Sequence, residues 1–190
     1  MQLNLPTWLT LFRLVMIPVV VILLCLSFPG RDFLAAGGFA AALITDWFDG
    51  WLARRWDQAS AFGAFLDPVA DKLLVCALLV MLVFHDPRVV VAIPAVIIVG
   101  REITVSALRE WMAELGKRQS VAVGSLGKYK TAIQMTAILV MLLDLGQPRG
   151  LLYAAGLVLL GVAAALTVWS MVAYLRAAWP HLVDEGGGAP

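Results

Sequence analysis

Apolar residues dominate this chain in six long runs, and polar residues collect between them. The runs cover Trp8–Phe28, Phe33–Trp56, Ala61–Phe84, Val89–Ala113, Gly127–Leu145 and Leu151–Ala178. The connections SFPGRD, RRWDQAS, HDPR, ELGKRQS and GQPRG hold prolines, glycines and charges that stop helices and turn the chain. About 20 apolar residues in helical form cross roughly 30 Å of hydrocarbon. The pattern therefore predicts an all-α integral membrane protein, a bundle of six transmembrane helices. No repeat of fixed period occurs, and every loop is too short to hold a soluble domain. Residues 1–183 are expected to form one membrane domain, with the polar, Gly-rich DEGGGAP at 184–190 as a flexible tail.

Composition agrees with this division. The chain is 62% hydrophobic, with a mean hydropathy of +0.89, where soluble domains are nearer half apolar. A net charge of +1 carries no bulk attraction for nucleic acid. Cys25 and Cys76 both sit inside apolar runs and read as packing residues rather than a disulfide or a metal pair. The start MQLNLPTWLTLFRL has no basic n-region and no small-residue cleavage site, so the first run is expected to stay as a membrane helix. Arg31, Arg88 and Arg149 follow the first, third and fifth runs, and the other eleven of the fourteen Lys and Arg lie on or toward the opposite side. Excess basic charge marks the cytoplasmic side, which puts both termini in the cytoplasm. Trp47, Trp51, Trp56 and Trp111 fall near that face, where interfacial indoles are common.

Four carboxylates interrupt this greasy pattern. Asp46, Asp49, Gly50 and Ala53 are spaced i, i+3, i+4, i+7, which is one helical face. Gly63, Asp67 and Asp71, at i, i+4, i+8, form another. A short polar turn joins the two segments, so they are expected to form a helical hairpin with the acidic faces opposed. Pro68 is expected in the first turns of its helix, where its missing N–H costs least. Converging carboxylates repel strongly in a low dielectric. Hard divalent cations such as Mg²⁺ or Mn²⁺ accept oxygen ligands and resolve that repulsion. Two such ions about 3.5–4 Å apart suit displacement at phosphorus. The glycines would let a nucleotide or pyrophosphate lie against the backbone, and Arg54 offers a planar fork to phosphate. Simple ion pairing with Arg54, Arg55 and Lys72 is the structural alternative, but it does not call for Gly50 and Gly63 at helical spacing.

Written out, the stretch is D46-x2-D49-G50-x2-A53-R54-x8-G63-x3-D67-x3-D71. It resembles the signature of the CDP-alcohol phosphatidyltransferase family at all eight pattern positions. NLPTWLTLFR, REITVSALREWMAELGKR and GKYKT extend the resemblance over nearly the whole chain. The start departs from the Pro-Asn common in the family, since this chain reads Asn4-Leu5-Pro6-Thr7. The resemblance implies six transmembrane helices, a homodimer, a bacterial cytoplasmic (inner) membrane and a site facing the cytoplasm. It implies that Asp46, Asp49, Asp67 and Asp71 hold two Mg²⁺ or Mn²⁺ ions, that Asp71 is also the general base, and that Gly50, Ala53, Arg54 and Gly63 line the CDP site. The implied reaction joins CDP-diacylglycerol and sn-glycerol 3-phosphate, giving phosphatidylglycerophosphate and CMP.

An acceptor carrying phosphate needs cationic donors. Arg101, Arg109, Lys128 and Lys130 are the candidates, and the resemblance supports Arg109 and Lys128 most directly. Arg101 and Glu102 fall inside an apolar run, which singles them out, and Glu102 is a candidate partner that orients Arg101. Lys117 and Arg118 read as ordinary positive-inside charge, and Lys130 stays open between that and the acceptor phosphate. Thr10 and Arg13 are candidates for contact with the nucleotide or the lipid phosphate, with a structural role as the alternative. His85 is expected to be solvated in an outer loop. Two other classes compete. A prenyltransferase also uses aspartates and Mg²⁺, but usually with more spans and without D-G-x2-A-R. A small transporter would spread its acids through the membrane depth. Inositol phosphate is the alternative acceptor within the family, and the basic residues of REITVSALRE and GKYKT favour a phosphorylated acceptor over serine.

Overall fold

Among the described residues, six helices follow one another in a computed structural model: α1 Leu5–Cys25, α2 Arg31–Trp56, α3 Ala61–His85, α4 Val89–Glu114, α5 Ser125–Leu143 and α6 Leu151–Gly186. Backbone is described for residues 5–56, 61–114, 125–147 and 150–186, and side chains for these except 5–7, 49–56, 61, 62, 64, 114, 125–128 and 177–186. The helices follow the six apolar runs to within a few residues. α6 continues through Asp184, Glu185 and Gly186, which composition assigned to the polar tail.

Local chemistry explains the breaks. α1 stops before Ser27-Phe28-Pro29-Gly30, and Gly30 takes φ +85°, a left-handed backbone that glycine adopts without strain. α2 then packs directly on α1. A Cβ at Gly38 would stand 2.9 Å from Cγ2 of Val20 and 3.2 Å from Cε of Met16, so the contact needs a residue without a side chain. Pro68 is the eighth residue of α3, which begins at Ala61 as the apolar run does. It cannot donate to the carbonyl four residues earlier, and it sits between Asp67 and Asp71 in sequence.

Among the described residues, three helices are long and apolar enough to cross a membrane: Trp8–Cys25, Val89–Ala113 and Leu151–Arg176. Tyr129–Leu143 is a shorter apolar helix. α2 and α3 carry the acidic motif, and its charges interrupt their apolar runs. Large apolar side chains stand outward, among them Phe33, Phe84, Val96, Leu151 and Trp169, each at least 68% exposed. So much outward apolar surface suits lipid rather than water.

The helices divide into two compact units, Met1–Pro87 with Ile138–Gly156, and Arg88–Ala137 with Leu157–Pro190. The first is built on α1 against α2 and α3. Its core runs through Val20, Leu24, Phe39, Leu78 and Leu82, joined by Met141 and Leu142 from the end of α5. A polar clasp secures the end of this unit away from the acidic motif. Tyr153 Oη donates to buried Asp86 Oδ2 at 2.9 Å, and the Tyr153 amide donates to Asp144 Oδ2 at 3.1 Å. The Gly146 amide donates to Asp32 Oδ2 at 2.8 Å. His85 is the last residue of α3 rather than a loop residue. It is half-buried, with ring nitrogens 2.9 Å from the Met81 carbonyl and 3.1 Å from the Leu24 carbonyl. In the second unit the core runs along α4, α5 and α6, with Ile98, Val105, Met112, Ala137, Leu160 and Ala163 buried.

The clasp has a measurable worth. Tyr153→Phe removes one bond to a buried carboxylate and should cost about 1.5–3 kcal/mol, a drop of several degrees in the thermal midpoint. Tryptophan fluorescence of the detergent-solubilised protein checks this, and an unchanged midpoint would mean the clasp contributes nothing.

Candidate active site

Charge in apolar surroundings needs a partner, and in the first unit the partners gather on Arg13. This residue, on α1, is wholly buried. Its Nη2 lies 2.9 Å from Oδ1 of Asp46 on α2. Its Nη1 donates to Oδ1 of Asp67 at 3.0 Å and also to Oδ1 of Asp71, both on α3. Asp67 and Asp71 are one helical turn apart, so α3 stacks them on one face. Each of the three acids offers an oxygen within 4.8 Å of the others. Their side chains keep 39–43% of their surface exposed while that of Arg13 keeps none. The guanidinium therefore closes the cluster on the protein side, and carboxylate oxygens face outward.

The donor set can be tested against the ions that the motif implies. Two carboxylates about 4 Å apart repel by ~4 kcal/mol at an effective dielectric of 20. Three of them need cationic charge to stay together, and one guanidinium leaves a negative excess of two. All the donors are oxygen, which fits a hard divalent ion such as Mg²⁺ or Mn²⁺.

Of the predicted site residues, Asp46, Asp67 and Asp71 come together as the spacing required. Gly63 stands one turn before Asp67 on α3. Asp49, Gly50, Ala53 and Arg54 fall within α2 and Lys128 within α5, but their side chains lie outside the described residues. Thr10 and Arg13 were candidates either for contact with a nucleotide or lipid phosphate or for a structural role. Arg13 turns to the three aspartates, and Thr10, one turn before it on α1, is buried at 3% exposure. An arginine whose partners lie on the next two helices, 33 to 58 residues away, has no local signal that would assign it to them.

A second charged cluster lies within the other unit. α4 places Arg101 and Glu102 side by side, with Arg101 Nη1 donating to Glu102 Oε1 at 2.9 Å. Lys130 from α5 donates to the same oxygen at 3.2 Å. Glu102 thus orients Arg101 as expected and holds Lys130 as well. Lys130 is 2% exposed, so it is not ordinary surface charge. Arg109, two turns along α4, donates from Nη2 to Tyr174 Oη at 3.2 Å. Sequence reasoning missed Tyr174, whose aromatic ring in an apolar run reads as packing.

The Arg13 contacts make a prediction. Removing one partner of a buried ion cluster costs about 3–5 kcal/mol. Arg13→Met should lower the thermal midpoint measured in chelator, and Mg²⁺ should raise that midpoint more in the variant than in the parent. Equal midpoints with and without Mg²⁺ in both proteins would show that Arg13 does not neutralise the acids.

Comparison with known proteins agrees with the motif. A family model described as CDP-alcohol phosphatidyltransferase matches residues 3–169. A protein of Salmonella choleraesuis (strain SC-B67) is 51% identical over 185 residues, covering 97% of this chain and 100% of its own. Proteins of Escherichia coli (strain K12) and Sodalis glossinidius (strain morsitans) are 51% and 52% identical over the same share of each chain. All three carry the name CDP-diacylglycerol–glycerol-3-phosphate 3-phosphatidyltransferase. With the acidic motif on α2 and α3 and a match across most of its length, this chain belongs to the CDP-alcohol phosphatidyltransferase family.

Proposed function

We propose that this chain transfers the phosphatidyl group of CDP-diacylglycerol to sn-glycerol 3-phosphate, giving phosphatidylglycerophosphate and CMP. The observation that carries this reading is the near-full-length similarity to three enzymes so named, joined to an acidic cluster whose oxygens lie within 4.8 Å of one another. Asp46, Asp67 and Asp71, with Asp49, would hold two Mg²⁺ or Mn²⁺ ions. Those ions, when bound, supply neutralisation of the diphosphate and acidify the acceptor hydroxyl.

The residues of the chain do the rest. Asp71 takes the proton of the attacking hydroxyl. The hydroxyl oxygen bonds to the phosphatidyl phosphorus, the bond from that phosphorus to the CMP oxygen breaks, and CMP leaves as an anion. Gly50, Ala53, Arg54 and Gly63 line the nucleotide site. Arg13 keeps the acids gathered from the buried side. Arg101, Arg109, Lys128 and Lys130 bind the phosphate of the acceptor. Three of these cations are described; Arg101 and Lys130 pair with Glu102 and Arg109 bonds Tyr174, so the three cations and that one carboxylate carry an excess of two positive charges. A phosphate monoester carries about −1.5 to −2 at neutral pH, which the excess matches and a neutral acceptor such as serine does not.

The same reading places the protein in a bacterial inner membrane with six spans, both termini cytoplasmic and the acidic motif at the cytoplasmic surface. The six apolar runs and the distribution of Lys and Arg support it. A site near the bilayer surface admits both a lipid donor and a water-soluble acceptor.

Purified protein with CDP-diacylglycerol and Mg²⁺ should release CMP only when glycerol 3-phosphate is present. Release that ignores the acceptor, or that inositol phosphate supports equally, would reject the acceptor assignment. Asp71→Asn should keep the fold and lose at least about a thousandfold in turnover, as loss of a base at a metal centre predicts. Parental rates would remove Asp71 from the chemistry. Arg109→Gln should raise KM for glycerol 3-phosphate by about tenfold or more, since a charged hydrogen bond is lost, while KM for CDP-diacylglycerol stays near the parental value.

A further inference from the structure

We propose that Tyr174 is a positioning residue that gathers Arg101 and Arg109 into one receptor for the acceptor's phosphate, an inference that rests on the acceptor reading above. Arg101 and Arg109 are eight residues apart on α4, about 12 Å along its axis at 1.5 Å per residue. Both guanidinium carbons nevertheless sit 5.6 Å from the centroid of the same ring, that of Tyr174 on α6. That distance is within the range of a cation–π contact, in which the electron-rich face of the ring attracts the cation. One ring thus holds two like charges that repel each other. Its hydroxyl adds a directional hold, accepting from Arg109 Nη2 at 3.2 Å.

Packing keeps the ring from following the arginines. Tyr174 sits with Leu108 and Trp111 against Met112, which is wholly buried. The other cations are also tethered, Arg101 and Lys130 through Glu102. Among the described residues, Nε of Arg101 and Nε of Arg109 are buried with no hydrogen-bond acceptor. A buried donor without an acceptor is costly to leave unsatisfied. Two such donors on arginines held to one ring fit a multi-oxygen anion, which offers several acceptors at once.

Steady-state kinetics of the full chain in detergent, with Tyr174→Leu, Tyr174→Phe and Arg109→Gln compared, test this. Tyr174→Leu should raise KM for glycerol 3-phosphate by about tenfold, the size expected when a partly desolvated cation–π hold is lost. The kcat and the KM for CDP-diacylglycerol should stay near parental values. Tyr174→Phe keeps the ring and loses the hydroxyl, so its rise should be smaller, about threefold. Competitive inhibition by inorganic phosphate should weaken in proportion in each variant, because phosphate shares only that part of the acceptor. A parental acceptor KM in Tyr174→Leu, or in Tyr174→Phe should the leucine variant not fold, overturns the inference. So does a rise shared equally by both substrates. If Arg109→Gln raises the acceptor KM while the Tyr174 variants do not, the inference fails and the acceptor reading stands. If Arg109→Gln leaves it unchanged, the acceptor reading itself falls.

Discussion

The first unit is organised around one buried cation. Arg13 lies at zero exposure in a helix otherwise apolar enough to cross a membrane, and its charge is tolerated there because three aspartates come to it. The dependence runs both ways. Asp46, Asp67 and Asp71 could not hold their oxygens within 4.8 Å of one another without cationic charge among them. This mutual need fixes the packing of α1 against α2 and α3. Gly38 lets α2 approach α1 closely at Val20 and Met16. The acids stay partly exposed, while the arginine is wholly buried beneath them.

The second unit handles charge by a different route. Arg101, Arg109 and Lys130 are distributed over two helices, and one carboxylate and one aromatic ring restrain them. Glu102 neutralises part of the charge, and Tyr174 adds attraction without a negative charge of its own. The cluster therefore stays cationic. An acidic cluster and a cationic cluster are the two parts that the proposed transfer to a phosphorylated alcohol calls for.

Much of this was legible before any coordinates. Carboxylates at i and i+4 on α3 had to share a face, and charges inside apolar runs had to have a role, so Asp46, Asp67, Asp71 and Arg101 stood out. The six helices follow from runs of apolar residues broken by proline, glycine and charge. Lys130 and His85 were harder. A lysine near a run of positive charge looks like interfacial decoration, yet α5 buries it on Glu102. A histidine beside Asp86-Pro87 looks like a solvated loop residue, yet α3 extends one residue further and turns its ring to two carbonyls.

What the chain alone determined was whatever has a short period: helices, membrane-length apolar runs, and acidic faces at three- and four-residue spacing. These depend on neighbours within one or two turns, so local order encodes them. The tertiary structure alone decided the pairings across long separations. Arg13 meets acids 33 to 58 residues away, and Tyr174 meets arginines 65 and 73 residues away. Such pairings depend on which helix faces pack together, and burial of charge selects those faces only once the helices have met.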